Sequence, residues 1–124
     1  MCKEKYISPF TDFGFKRLFG SEANKEFLIS FLNSLIDDPD KIVDISYENV
    51  EKFGMSADER KAVFDLYCTT ESGAHIIVEM QNAYQRYFMD RTIYYSSFPM
   101  QEVAKSGAWD FRLPKIYTIA ILNF

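Results

Sequence analysis

Basic charge and cysteine are both in short supply in this chain, and each shortage removes a class of function. The 14 basic residues are outnumbered by 18 acidic ones, giving a net charge of -4 and a pI near 5.0. That balance excludes a broad cationic face coating nucleic acid, though not a local basic groove. The cysteines, Cys2 in a polar terminus and Cys68 in an apolar run, have no spacing suited to a disulfide framework or a thiolate metal site, so reduced thiols are expected. No run approaches the roughly 18 apolar residues of a membrane span, and the opening MCKEKYISPF has no apolar signal core. The expected location is the cytoplasm, with no membrane partner. Phosphate loops, GxGxxG fingerprints, GxSxG elbows and CxxC pairs are absent as well, which removes nucleotide-fold, hydrolase-elbow and zinc-finger readings.

What the chain does have is apolar content: at 124 residues, 48% hydrophobic and 17% aromatic, it can close one core, so residues 1–124 are expected to form a single domain. Thr11 or Asp12 can cap a first helix in which Phe15, Leu18 and Phe19 share a face, with Lys16 and Arg17 outside and Gly20 as the stop. Ser21 can cap a second, with Phe27, Leu28, Phe31, Leu32 and Leu35 as its apolar stripe, ended by Asp37-Asp38-Pro39. Alternation over 41–50 predicts a half-exposed strand, and 62–69 and 75–81 predict two more around a turn in which Gly73 suits positive φ. Residues 83–106 predict a long helix that Pro99 kinks or splits, before Gly107 and Pro114 block continuation. The apolar run 116–124 reads as a strand covered on both faces, and ending there leads us to expect a C-terminal extension. This order implies an α/β fold with a mixed sheet flanked by helices.

The stretch 61–81 carries the chemistry. Ala62, Phe64, Leu66 and Cys68 form one apolar set, and Ile76, Val78 and Met80 the other. In an antiparallel hairpin these sets must share a face, because a one-residue slip would turn one of them outward. Asp65, Glu79, Gln81 and Lys61 then share the opposite face. A turn of odd length around Ser72 puts Asp65 opposite Glu79, with Cβ atoms on the order of 5 Å apart. Like charges so placed call for a cation, and Mg²⁺ with two carboxylates and retained waters meets that need. Residue spacing alone leaves a plainer reading open, in which Asp65 and Glu79 are solvated residues on a half-exposed hairpin and Lys61 is an ordinary surface partner of Asp65.

Other candidates are read against plainer roles. His75 lies on the face of Glu79, although a lone histidine at a strand start commonly partners a turn. Glu22 and Glu26 open the second helix, where acids favour the helix dipole in any case. Lys16, Arg86, Arg91 and Lys105 can contact phosphates or form a solvated face, and Tyr94-Tyr95 reads as packing rather than base stacking.

The segments DFGFKRLFGSEANKEFLISFLNSL, RKAVFDLYC, IIVEMQ, RTIYYSS and GAWDFRLPKIYTIAILNF, in that order and without large gaps, resemble the N-terminal portion of the PD-(D/E)xK nuclease family transposases, the recombination-promoting nuclease group. The resemblance implies a restriction-endonuclease-like αβββαβ core and a DNA endonuclease linked to recombination that depends on Mg²⁺ or Mn²⁺. DNA is the implied partner, and cleavage of both strands would call for two active sites, as in a homodimer. By position Asp65 matches the family's strand aspartate and Glu79 its metal-binding glutamate. Gln81 stands where the broader superfamily has lysine, and glutamine can hold a water by hydrogen bonds. Lys61 is the candidate to supply the missing charge, and Glu22, Glu26 or Asp12 the candidate third acid. A nuclease-like domain kept only as a DNA-binding or protein-interaction module is the alternative.

Overall fold

The computed structural model describes residues 12–52, 62–104 and 109–123. Helix α1 (Asp12–Phe19), a 3-10 turn (Glu22–Asn24) and α2 (Lys25–Leu35) lead into strands β1 (Ile45–Tyr47), β2 (Glu51–Lys52), β3 (Ala62–Val63), β4 (Leu66–Thr70) and β5 (His75–Gln81). Helix α3 (Phe88–Ala104) then crosses over to β6 (Ile116–Leu122). The main sheet has the order β1-β4-β5-β6, antiparallel from β1 to β5 and parallel between β5 and β6. Strands β2 and β3 form a separate antiparallel ribbon. A mixed four-stranded sheet between helices, entered and crossed in this order, is the expected restriction-endonuclease-like αβββαβ arrangement.

The two sheet faces bury different sets. Phe15 and Phe19 of α1 and Leu28, Ile29 and Leu32 of α2 pack on Ile45, Leu66, Cys68, Ile76 and Val78. Phe98 of α3 packs on Tyr67 and Ile77 of the opposite face, with Phe64 and Tyr95 alongside. The hairpin face that carries the acids is therefore roofed by α3 rather than half-exposed. Cys68 is fully buried with its thiol pushed up to about 12, chiefly by burial, which makes it an inert core residue.

The β4–β5 turn closes through the three residues Glu71, Ser72 and Gly73, an odd length as the register requires. Thr70 N donates to Ala74 O at 2.9 Å and Gly73 N to Thr70 O at 3.0 Å. Gly73 has φ of 90°, as expected of a position that disfavours a Cβ. Gly20 stops α1 for a different reason: its N–H donates to Lys16 O at 2.8 Å, and a Cβ there would lie 2.8 Å from that same oxygen.

Several local expectations are corrected. The strand read over 62–69 breaks at Phe64 and Asp65, so Phe64 packs with Tyr67 and Ile77 instead of sharing the face of Leu66. The strand read over 41–50 is regular only at Ile45–Tyr47, and Val43 is exposed. Ile29 joins the stripe of α2 while Phe27 and Leu35 remain outside. The Ser21 hydroxyl donates back to Arg17 O at 3.2 Å and makes no cap bond. The Thr11 cap lies outside the described residues. Helix α3 begins at Phe88 rather than Ala83 and passes through Pro99 unbroken. Strand β6, expected to be covered on both faces, lies at the end of the sheet order and alternates, with Thr118, Ala120 and Leu122 exposed.

Candidate active site

In the β4–β5 register Leu66 faces Val78, so the next step outward sets Asp65 against Glu79. Asp65 sits on the bend that opens β4, and its Oδ2 accepts a hydrogen bond from Met80 N at 2.8 Å. The bend frees the Asp65 side chain from the ladder, and this bond ties it to β5. Glu79 is buried beside it, 3% exposed, with Oε1 lacking any hydrogen-bond partner. Its carboxyl is pushed up to about 8, first by burial and then by hydrogen bonding with and repulsion from Asp65, while the charge of Arg91 pulls the other way. An acid so buried next to another acid is a common mark of a functional site.

Arg91, expected either to contact phosphates or to belong to a solvated face, has a further connection in the structure. It projects from the first turns of α3, where Gln85 Oε1 accepts from its Nη1 at 2.8 Å and its guanidinium lies 5.1 Å from the Phe88 ring centroid and 5.8 Å from that of Tyr95. Its Nε is buried without a partner. Phe88, Arg91 and Tyr95 are spaced three and four residues apart as on one side of a helix, but nothing in the sequence places α3 over Glu79.

Gln81, half-buried, continues the Glu79 face at the end of β5. Lys16 is exposed on α1 and borders a hollow of about 230 Å³ lined also by Gly20, Tyr47, Glu48, Asp65 and Tyr67. Glu22 is paired with Lys25 at 3.5 Å and Glu26 is exposed; neither joins the acid pair. Arg86 precedes α3 and lies over the Tyr87 ring at 5.3 Å. Lys61, Lys105 and the Asp12 side chain lie outside the described residues. His75 begins β5, roughly 13 Å from Glu79 at about 3.3 Å per residue. Its Nδ1 is 2.7 Å from the Tyr67 hydroxyl, which also donates to Glu102 at 3.3 Å. That network, unforeseen in Glu102, ties α3 to the sheet away from the acids. A hollow of about 280 Å³ at the hairpin-turn end, bordered by Asp38, Ser72, Gly73 and Lys115, also lies apart from them.

A family model described as PD-(D/E)XK nuclease family transposase matches residues 9–124. The chain belongs to this family. No curated protein and no solved structure matches it. For a PD-(D/E)XK nuclease family transposase the donor set at Asp65 and Glu79 fits a hard divalent ion: two adjoining carboxyls, one with a buried oxygen lacking a partner, offer oxygen ligands once the proton held by Glu79 is displaced. Among the described residues no group of three or more His, Cys, Asp or Glu is arranged to hold a metal. No helix among the described residues is long and apolar enough to cross a membrane.

Proposed function

We propose that the chain is a divalent-metal-dependent DNA endonuclease of the recombination-associated kind, working in the cytoplasm where DNA and Mg²⁺ are available. The observation that carries this reading is the Asp65–Glu79 pair, with the unpartnered Oε1 of Glu79 in a buried setting. Asp65 and Glu79 would hold Mg²⁺ or Mn²⁺. When bound, such an ion supplies Lewis acidity toward a phosphodiester oxygen. Gln81, two residues along the same face, orients the attacking water through its amide. Arg91 offers a fixed positive charge where phosphate charge develops, and its stacking between rings keeps it in place. Lys16, beside the hollow that Asp65 borders, serves the DNA backbone. Lys61 remains a proposed source of additional charge. Cutting both strands would take two copies of the site.

Purified protein should nick supercoiled plasmid DNA with Mg²⁺ or Mn²⁺, and Asp65→Asn or Glu79→Gln should each remove the activity. Cleavage unchanged in both variants would sink the assignment. The presence of Gln81 at the superfamily's lysine position and the net charge of -4 favour a second reading, a non-catalytic DNA-binding or interaction module. Calorimetric titration with Mn²⁺ in the presence of uncleavable DNA separates the two, since the module would show no metal affinity at millimolar concentrations.

A further inference from the structure

The connection between β5 and α3 starts immediately after Gln81 and presents aromatic rings to solvent. Tyr84 is 74% exposed and Tyr87 is 64% exposed, with Arg86 lying over the Tyr87 ring at 5.3 Å. The backbone beneath is fixed by Phe88 N donating to Gln85 O at 3.2 Å and Arg91 N donating to Tyr87 O at 3.0 Å. The same segment reaches the acid pair through Gln85, which holds the Arg91 guanidinium at 2.8 Å. Over 84–94 the charged residues are Arg86, Asp90 and Arg91, a positive excess within a molecule whose net charge is negative. A strip of exposed rings with an arginine already lying over one of them is what an unpaired base needs, because every base offers a π-face and every nucleotide a phosphate. A continuous duplex hides those base faces, and rings on its outside would meet only backbone.

We infer that the Tyr84–Tyr87 strip is a stacking platform for unpaired nucleotides, so that the preferred substrate is single-stranded DNA or DNA with bases out of the stack. The inference rests on the nuclease reading for its function but not for its test. The platform begins three residues after Gln81 and its Gln85 holds Arg91, so a strand stacked there lies on the segment that joins the end of β5 to α3. The platform thus sets which DNA reaches the acids.

The test is fluorescence anisotropy on the full chain in EDTA, with a dye-labelled 12-nucleotide single strand and the matching blunt duplex. Tighter binding of the single strand than of the duplex is expected. Tyr84→Ala and Tyr87→Ala should each weaken the single strand roughly 5- to 100-fold, with the melting temperature and the duplex affinity unchanged. Tyr87→Phe should keep the affinity, since the ring and not the hydroxyl stacks. Equal or tighter duplex binding, or single-strand affinity indifferent to both alanine variants, would overturn the platform. So would size-exclusion chromatography showing that the alanine variants dissociate a dimer while single-strand affinity holds, because the strip would then be a protein interface. A chain that binds single strands in this way yet never cleaves them sinks the nuclease reading alone; cleavage of duplex without any strand preference sinks the platform alone.

Discussion

Glu79 faces Asp65 at the end of the β4–β5 ladder, and its buried carboxyl is pushed up to about 8 from an ordinary 4.5. The folded state therefore holds a proton that the unfolded chain releases across that window. Folding stability contributed by this group is fully present below pH 4.5, falls as pH rises through the window, and levels off above about 8. Glu79→Gln keeps the shape and removes the titration. Thermal melts without divalent ions should show the variant gaining on the parent between pH 5 and pH 8, by roughly 3 kcal/mol. Parallel pH slopes for the two proteins would contradict the buried pair.

A divalent ion should reverse this penalty by replacing the shared proton with two ligated carboxylates. With Mn²⁺ at roughly 100 times its Kd, the parent should gain about 2.7 kcal/mol of stability. Asp65→Asn and Glu79→Gln should each lose that increment while remaining folded. Equal stabilisation of all three proteins by Mn²⁺ would place the ion elsewhere.

Asp38 locks the segment after α2 to the start of β6. Its Oδ2 accepts from Lys115 Nζ at 2.9 Å and from the Tyr117 hydroxyl at 2.9 Å, and its Oδ1 accepts from Asp40 N at 2.9 Å. Lys115 foremost, then these two hydrogen bonds, holds the carboxyl down at about 2. A depressed carboxyl stabilises the fold above pH 3.8 and loses that contribution as pH falls through about 2. Asp38→Asn should lower the melting temperature at pH 7, and the gap should narrow on acidification toward pH 2. A gap that persists there would assign the effect to packing instead of charge.

The acid pair was legible because side-chain alternation in strands has a period of two, and burial of Leu66, Cys68, Ile76 and Val78 enforces one register. The turn glycine was legible for a similarly local reason, since only a residue without Cβ adopts φ of 90° at little cost. What stayed hidden depends on contacts across long sequence distances. Phe64 changes faces because Asp65 bends the chain, and alternation counts cannot register a bend. Strand β6 reads as doubly covered from composition, yet which strand lies at the end of the sheet is a property of topology, and there one face meets solvent. The lock formed by Asp38, Lys115 and Tyr117 joins residues on opposite sides of the sequence with no shared pattern. The charge of Arg91 is plain in the sequence, whereas its influence on Glu79 exists only because α3 roofs that face.

Arg91 provides the sharpest remaining test of that roof. Its charge favours the ionised form of Glu79, opposing burial and Asp65. Removing it in Arg91→Ala takes away the opposing influence, so the Glu79 carboxyl should rise further above 8. Metal binding requires the ionised carboxyl, and the pH at which half of the Mn²⁺ affinity is reached should therefore move upward, by up to about one unit. Arg91→Lys retains a charge but loses the guanidinium plane that lies near the Phe88 and Tyr95 rings and the bond to Gln85, so its profile should fall between alanine and parent. Calorimetric titrations with Mn²⁺ from pH 6 to pH 9 read this shift directly. A purely structural role for Arg91 would instead lower the melting temperature and leave the pH midpoint of metal binding where the parent has it.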